Sequence, residues 1–453
     1  MKNKFLFFLF LSTFLNTYVV AQQPAFITDS LDIYIQREMQ RWQIPGLAIT
    51  IVKDGKVIVS KGYGVTNLET NQKVDENTLF MIASNTKAFT GTALALLDYQ
   101  KRLSLNDRVT KHIPYFKLYD EDMTEMATIE DLLSHRLGFE TFQGDFLNWD
   151  SNLSRRALIE NMQKNKPVYD FRDTWGYCNA GFLAAGEIVE SVTDTTWDDF
   201  IQHNFFKPLD MNHSSTTYRV ISTEKNVCVP YTLFENKLIR LEYDSIDNLA
   251  AVGGINSCAS DLSNWLLMQL NDGSFNGKQV FPPQVVKNTR VPRSIVNAGG
   301  SGLYKSQHFN LYGLGWFIKD YEGRRIIMHD GGANGFVTST CFIPEANLGI
   351  AVLTNTDANS LYDALRYQIM EAYFNVPYRN LSEMYFEFAN AGNNSMNEQI
   401  RLWREKAGNT EKPELVLSKY TGIYENEVYG KIEIKEEKGK LNIYFAHHPH
   451  LTG

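Results

Sequence analysis

The sequence predicts an α+β protein: one antiparallel sheet flanked by helices, an inserted helical region between the sheet's two halves, and a short C-terminal β segment. Three observations point there. An alternating hairpin, "GLAITIVKDGKVIVSKGYG", stands near the N-terminus, while the next run of short strands begins only after residue 300. Residues from about 100 to 300 carry helical periodicity and loops instead. After a polar stretch, strands at close spacing resume near the C-terminus.

Each element has its own signal. "SLDIYIQREMQRW" sets Leu31, Ile35, Met39 and Trp42 at helical spacing, with Ser30 as a candidate N-cap. The two alternating runs that follow meet at Asp54-Gly55, residues that tolerate the turn a tight hairpin needs. In "TLFMIASNTKAFTGTALALL" an apolar stretch leads into a helix whose Ala88, Gly91, Thr92 and Ala95 permit close central packing. Late in the chain "YGLGWFIK", "RRIIMHD", "FVTSTCFIP" and "LGIAVLTN" read as strands, closed by the amphipathic helix "LYDALRYQIMEAYF". A cleft where the insertion meets the sheet is the natural ligand site.

Domain boundaries follow from changes in character. Residues 1–21 read as a signal peptide: Lys2 and Lys4 precede "FLFFLFLSTFL", and Val19-Val20-Ala21 offers a small-residue cleavage site. The apolar run is too short for a retained anchor, which takes about 20 residues, so an exported protein, periplasmic or secreted and without stable membrane insertion, is expected. The main domain spans 22–378. "NAGNNSMNEQ" marks a linker over 379–410, and 411–453 reads as the start of a small β domain, cut short, with Lys438-Gly439 as a turn. "HHPH" near the end reads as exposed strand-end residues.

Composition excludes some classes. A net charge of -8 without a basic face argues against a nucleic-acid binder. Cys178, Cys228, Cys258 and Cys341 are far apart and lack metal-ligand spacing. Buried thiols are expected, with one bridge left open. The nine histidines form no metal motif, so no metal site is expected from them.

Ser84 and Lys87 stand three residues apart where the small-residue helix begins. Residues at that spacing share a helix face. A serine hydroxyl needs a neighbouring base, and a lysine becomes one when burial lowers its pKa. The backbone N–H of Ser84 would face a developing oxyanion. Ser-x-x-Lys recurs at Ser222 and Lys225, where no such helix follows, and a helix cap with a solvated lysine stays open as the plain reading of Ser84.

Seven segments in order, "SNTKAFT", "RLSLNDRVTKHIP", "ATIEDLLSHRLGF", "WGYCNAGFLAAGEIVE", "FFKPLDMNHS", "VGGINSCASDLSNWL" and "HDGGANGF", carry a resemblance to a known family. From about Ile27 to Phe374 the chain resembles the class C β-lactamase, D-peptidase and esterase family of penicillin-recognising serine hydrolases. The resemblance implies a β-lactamase/transpeptidase-like fold and two-step acyl transfer from a small-molecule or peptide substrate through Ser84 to water, which requires no metal or organic cofactor. It implies that Tyr177 and Asn179 form the family's Tyr-x-Asn motif, selected from further Tyr-x-Asn matches at Tyr373, Tyr378 and Tyr424 by its place in "TWGYCNAGF". Tyr177, its pKa lowered by the Lys87 cation, would relay the Ser84 proton; Asn179 would bind the substrate's acyl carbonyl and help hold Lys87.

The family's Lys-Thr-Gly motif is matched by His329-Asp330-Gly331. A histidine is mostly neutral at pH 7, which argues against efficient penicillin hydrolysis and for an ester, D-amino-acid peptide or related amide. The alternative is a weak β-lactamase or a penicillin-binding protein that is acylated and turns over slowly. Gly331 and Gly332 are expected to leave room for substrate backbone, with the Gly332 N–H as second oxyanion donor. His135 is read as a structural helix end, and Arg136-Leu137-Gly138 departs from the family's usual Thr-Ser-Gly.

Overall fold

The computed structural model describes residues 22–299, 302–408 and 414–452. The expected signal peptide lies outside them. Helix α1, Leu31–Arg41, opens the main domain. Ser30 precedes it without a side-chain capping bond, because a π-turn over Phe26–Ser30 already supplies the helix entry. Strands β1, Gly46–Lys53, and β2, Lys56–Gly64, form the expected hairpin. Asp54 and Gly55 both take positive φ, 51° and 74°, as a two-residue turn matched to strand twist requires.

Helix α2, Thr86–Tyr99, is buried from Thr86 to Leu97. Its small residues are a packing necessity: a Cβ on Gly91 would lie 2.2 Å from the Leu314 carbonyl oxygen. Helix α3, Asn179–Thr193, packs beside it. The sheet then resumes with β3, Ser294–Asn297, β4, Asn310–Tyr312, β5, Phe317–Tyr321, β6, Arg324–Ala333, β7, Phe336–Ile343, and β8, Leu348–Thr354. Its order is β2-β1-β8-β7-β6-β5-β4-β3, all antiparallel. The two halves join where β1 pairs with β8, Leu47 opposite Thr354 through Lys53 opposite Leu348.

Strand alternation divides the core in two. Ala48 and Val52 of β1, with Ala351 and Leu353 of β8, face the inserted helices. Leu47, Ile49 and Ile51, with Ile350 and Val352, face α1 and helix α4, Leu361–Phe374. Both central strands are buried on both faces, so they read as nearly continuous apolar runs.

The stretch read as a linker is helical. Helix α5, Leu381–Gly408, spans it without a break. The asparagines and glycine that resembled breakers lie on an exposed surface, where Arg401 bonds Glu398 and Glu405 one turn away on either side. Its first turn is fastened to the main domain by a bond from Trp42 Nε1 to Ser382 Oγ (2.9 Å) and by the Phe386 ring against Trp42. Beyond it, β9, Gly422–Asn426, β10, Gly430–Glu437, β11, Lys440–Phe445, and β12, His448–Thr452, form a second antiparallel sheet. The Lys438-Gly439 turn is present. His448, expected at an exposed strand end, is instead buried, with its ring 4.5 Å from that of Phe146.

Candidate active site

Ser84 sits in a single 3-10 turn, Ala83–Asn85, that delivers the chain into α2. The turn is pinned from three sides. Ile82 N–H bonds the Ile255 carbonyl (3.0 Å), Asn85 Nδ2 bonds Thr338 Oγ1 on β7 (2.9 Å), and the Thr86 hydroxyl accepts from Ile255 N–H (3.1 Å). Ala83 is held at φ 46°, a left-handed conformation that costs a non-glycine residue about 1–3 kcal/mol and persists only where neighbours impose it.

One turn on, the fully buried Lys87 places Nζ 3.0 Å from Ser84 Oγ and 3.1 Å from the Val252 carbonyl oxygen. Burial pulls its pKa down to about 7, against the opposing pull of Asp145. The amine lies 4.8 Å from the Tyr177 ring centroid and 5.6 Å from that of Phe182. Ser222 and Lys225, the rival pair, are exposed, and Ser222 Oγ bonds the Arg219 carbonyl instead.

Tyr177 and Asn179 come from the loop that opens α3. Tyr177 lines the same cavity as Ser84, and burial raises its pKa, with the Ser84 hydroxyl opposing the shift. This corrects the expected phenolate: desolvation, reinforced by the Asp145 charge, keeps Tyr177 a neutral phenol. Asn179 donates to Asp145 Oδ2 at 2.5 Å, while Lys87 finds its acceptors on Ser84 and Val252. The expected Asn179–Lys87 hydrogen bond is therefore not made. His135, at positive φ, accepts from Cys178 N–H at Nδ1 (3.0 Å) and lies 4.4 Å from the Tyr177 ring. It steadies the motif from behind. Arg136 bonds Asp131 and Glu130, and Arg172 bonds Asp131, clamping the adjacent loop with ion pairs.

His329 on β6 lies in the cavity wall, but both ring nitrogens are engaged. Nδ1 bonds the Asp330 carbonyl (2.6 Å), which assigns the proton there, and Nε2 then accepts from the Tyr312 hydroxyl (3.1 Å). Burial and the Lys87 charge press its pKa to about 3. His329 thus supplies neither a cation nor a free donor to a substrate. Gly331 leaves room for protein rather than for substrate: a Cβ there would lie 2.1 Å from the Ile82 carbonyl oxygen. Gly332 faces open space. Ala333 pairs with Phe336 across the two-residue turn Asn334-Gly335, so alternation turns the Gly332 N–H away from β7, toward the edge of β6 that β5 leaves uncovered beyond Met328.

These groups meet in one cavity of about 760 Å³, lined by Ser84, Tyr177, Asn179, His329, Gly331 and Gly332. Aromatic side chains, among them Phe142, Phe146, Trp149 and Trp175, make much of its wall. Sequence reasoning missed Asp145, which also lines it and whose pKa burial raises. Nothing in "GDFLNW" marks an aspartate for that place; only the fold of its loop does.

The Ser84–Lys87 pair and the Tyr177–Asn179 pair, far apart in sequence, are thus brought together at one cavity. Residues 31–374 match the Beta-lactamase family. The chain belongs to that family. It is 31% identical over 341 residues to "Protein flp" of Staphylococcus aureus (strain COL), covering 72% of this chain and 63% of that protein, so the chain spans less than two thirds of that relative's length. "Unguisins hydrolase ungD'" of Aspergillus campestris is 26% identical over 447 residues, covering 90% of this chain and 78% of that protein. The octameric penicillin-binding protein homologue from Pyrococcus abyssi shares the fold, with a TM-score of 0.66, 24% identity and coverage of 93% and 88% of the two chains.

The four cysteines are all free and buried. Although sequence spacing showed no metal grouping, the fold brings ligand atoms of His213, Cys258 and Asp261 within 4.8 Å of one another. Asp261 is already occupied there, accepting the N–H groups of His213 and Ser214 and the Ser214 hydroxyl. Among the described residues no helix is long and apolar enough to cross a membrane.

Proposed function

We propose that this protein is an exported serine hydrolase that cleaves an ester, D-amino-acid peptide or related amide through an acyl-Ser84 intermediate. The observation that carries the reading is the contact of Ser84 Oγ with Lys87 Nζ at 3.0 Å, in a site that holds the lysine near pKa 7. A neutral amine takes the serine proton as Oγ attacks the carbonyl. The N–H groups of Ser84 and Gly332 hold the oxyanion, one such donor being worth about 2.7–4 kcal/mol. Tyr177, a neutral phenol lining the same cavity as Ser84, passes the proton to the leaving group without resting as phenolate. Water then releases the acyl group by the same route reversed.

The cavity also bears on substrate. A neutral His329 offers no counter-charge where the family's lysine would meet a substrate carboxylate, which supports esters and amides over penicillins. A relative named as a hydrolase of unguisins, aligned over 90% of this chain, supports a hydrolytic activity as well. The basic and apolar N-terminus supports export.

The test is a panel of p-nitrophenyl esters, D-alanyl peptides and nitrocefin, run on wild type and Ser84→Ala. Ester hydrolysis with feeble nitrocefin turnover, both lost in the variant, is expected. Activity retained in Ser84→Ala would remove the acyl-serine reading. Robust nitrocefin turnover would instead show that His329 does not disfavour β-lactams, and an acylation burst without turnover would mark a slow binder.

A further inference from the structure

Asp145 is a carboxylate inside the cavity whose charge no side-chain cation among the described residues meets at close range. Its two oxygens accept amide hydrogens, Oδ1 from Asn148 (3.1 Å) and Oδ2 from Asn179. Lys87 acts on it only through space. The other carboxylate of the wall, Asp330, is differently placed, bonded to Arg366 at 2.6 Å. A carboxylate withdrawn from water without an ion-pair partner is costly, and sites that retain one are commonly waiting for a ligand. Around Asp145 stand Phe142, Phe146, Trp149 and Tyr177, whose ring faces attract cations.

Asp145 also has a defined position along the reaction. It is one hydrogen bond beyond Asn179, the residue proposed to receive the acyl carbonyl, and so lies on the acyl side of the scissile bond.

We propose that the preferred substrate carries a protonated primary amine on its acyl group, an aminoacyl ester or amide, and that Asp145 with its aromatic surround binds that ammonium. This rests on the acyl-serine reading and narrows it. The ammonium brings three donors to a carboxylate with lone pairs to spare, and the ring faces replace part of its hydration.

Three matched anilides test it: phenylalanine p-nitroanilide as both enantiomers, its N-acetyl form, and 3-phenylpropanoyl p-nitroanilide. At pH 7 the free-amine form is expected to lead in kcat/KM by about tenfold or more, the size of a charge-assisted hydrogen bond. In Asp145→Asn the ratio between amine and des-amino forms falls to near one, with an unchanged melting temperature as the folding control. Calorimetry gives a readout independent of turnover: phenethylamine binds the wild type, whereas 2-phenylethanol does not, and Asp145→Asn binds neither. Equal kcat/KM across the wild-type set would overturn the proposal. So would an Asp145→Asn loss uniform across all three, which would mean that the carboxylate acts through Lys87. If no anilide turns over while phenethylamine still binds, the hydrolase reading fails and the ammonium site stands.

Discussion

An ammonium at Lys87 cannot accept the proton of Ser84, so the fraction of neutral amine sets the rate of attack. With the pKa near 7, kcat/KM for an uncharged ester should climb with unit slope from pH 5 to about 7 and then level. His329, pressed to about 3, stays neutral throughout and adds no limb. The pH–rate profile of His329→Gln should therefore keep the inflection near 7, while Lys87→Ala should lose it along with about 10²–10⁴-fold in rate. An inflection that disappears with His329 would assign the base wrongly. At this scale the motif residues were legible, because Ser84, Lys87, Tyr177 and Asn179 occur within segments whose order is itself informative. Their states were not. Whether Tyr177 is phenol or phenolate depends on how deeply the fold buries it, and Asp145 sits on a loop with no pattern to announce it.

The close approach of β6 to the Ser84 turn separates two adjacent glycines. A Cβ on Gly331 would strike the Ile82 carbonyl, Thr338 and Asn85, all parts of the clamp that sets Ser84. Gly331→Ala should therefore lower stability by about 1–3 kcal/mol through overpacking and abolish activity with it. Gly332→Ala meets nothing within 4 Å. Its methyl group projects into open space beside the proposed oxyanion donor, so thermal melting should be unchanged while KM rises. Equal melting losses in the two variants would refute this division of labour. Elements were legible where one physical rule dominated: the Asp54-Gly55 hairpin by turn chemistry, and the late strands as short apolar runs bounded by turn residues. Helix α5 was misread because asparagine and glycine count as breakers only when nothing else stabilises the helix. Here its first turn is anchored through Ser382 and Phe386, and the rest can propagate from that nucleus.

The whole chain converges on the loop that carries Asp145. That loop is held from below by α3, through Asn179, and from outside by the C-terminal sheet. Asn152 N–H bonds the His447 carbonyl (3.0 Å), Asn161 Nδ2 bonds the Val428 carbonyl (3.1 Å), and Phe146 packs between His448, Phe445 and Tyr429. Phe146 also lines the Ser84 cavity, so one ring is shared between the candidate site and the second sheet. Interactions spread over residues 414–452 therefore determine the shape of a wall formed near residue 146. Such a wall contributes to substrate positioning more than to the proton transfers at Ser84, which are held by α2 and α3. Replacing His448 and Phe445 together by alanine should thus leave the ester-hydrolysis kcat within about twofold while raising KM by about threefold or more, roughly 0.7 kcal/mol of lost binding. Hydrogen exchange should quicken over residues 145–153 and stay slow in α2. A fall in kcat with KM unchanged would mean that the second sheet reaches the chemistry itself, and no change in either would reduce it to an appendage.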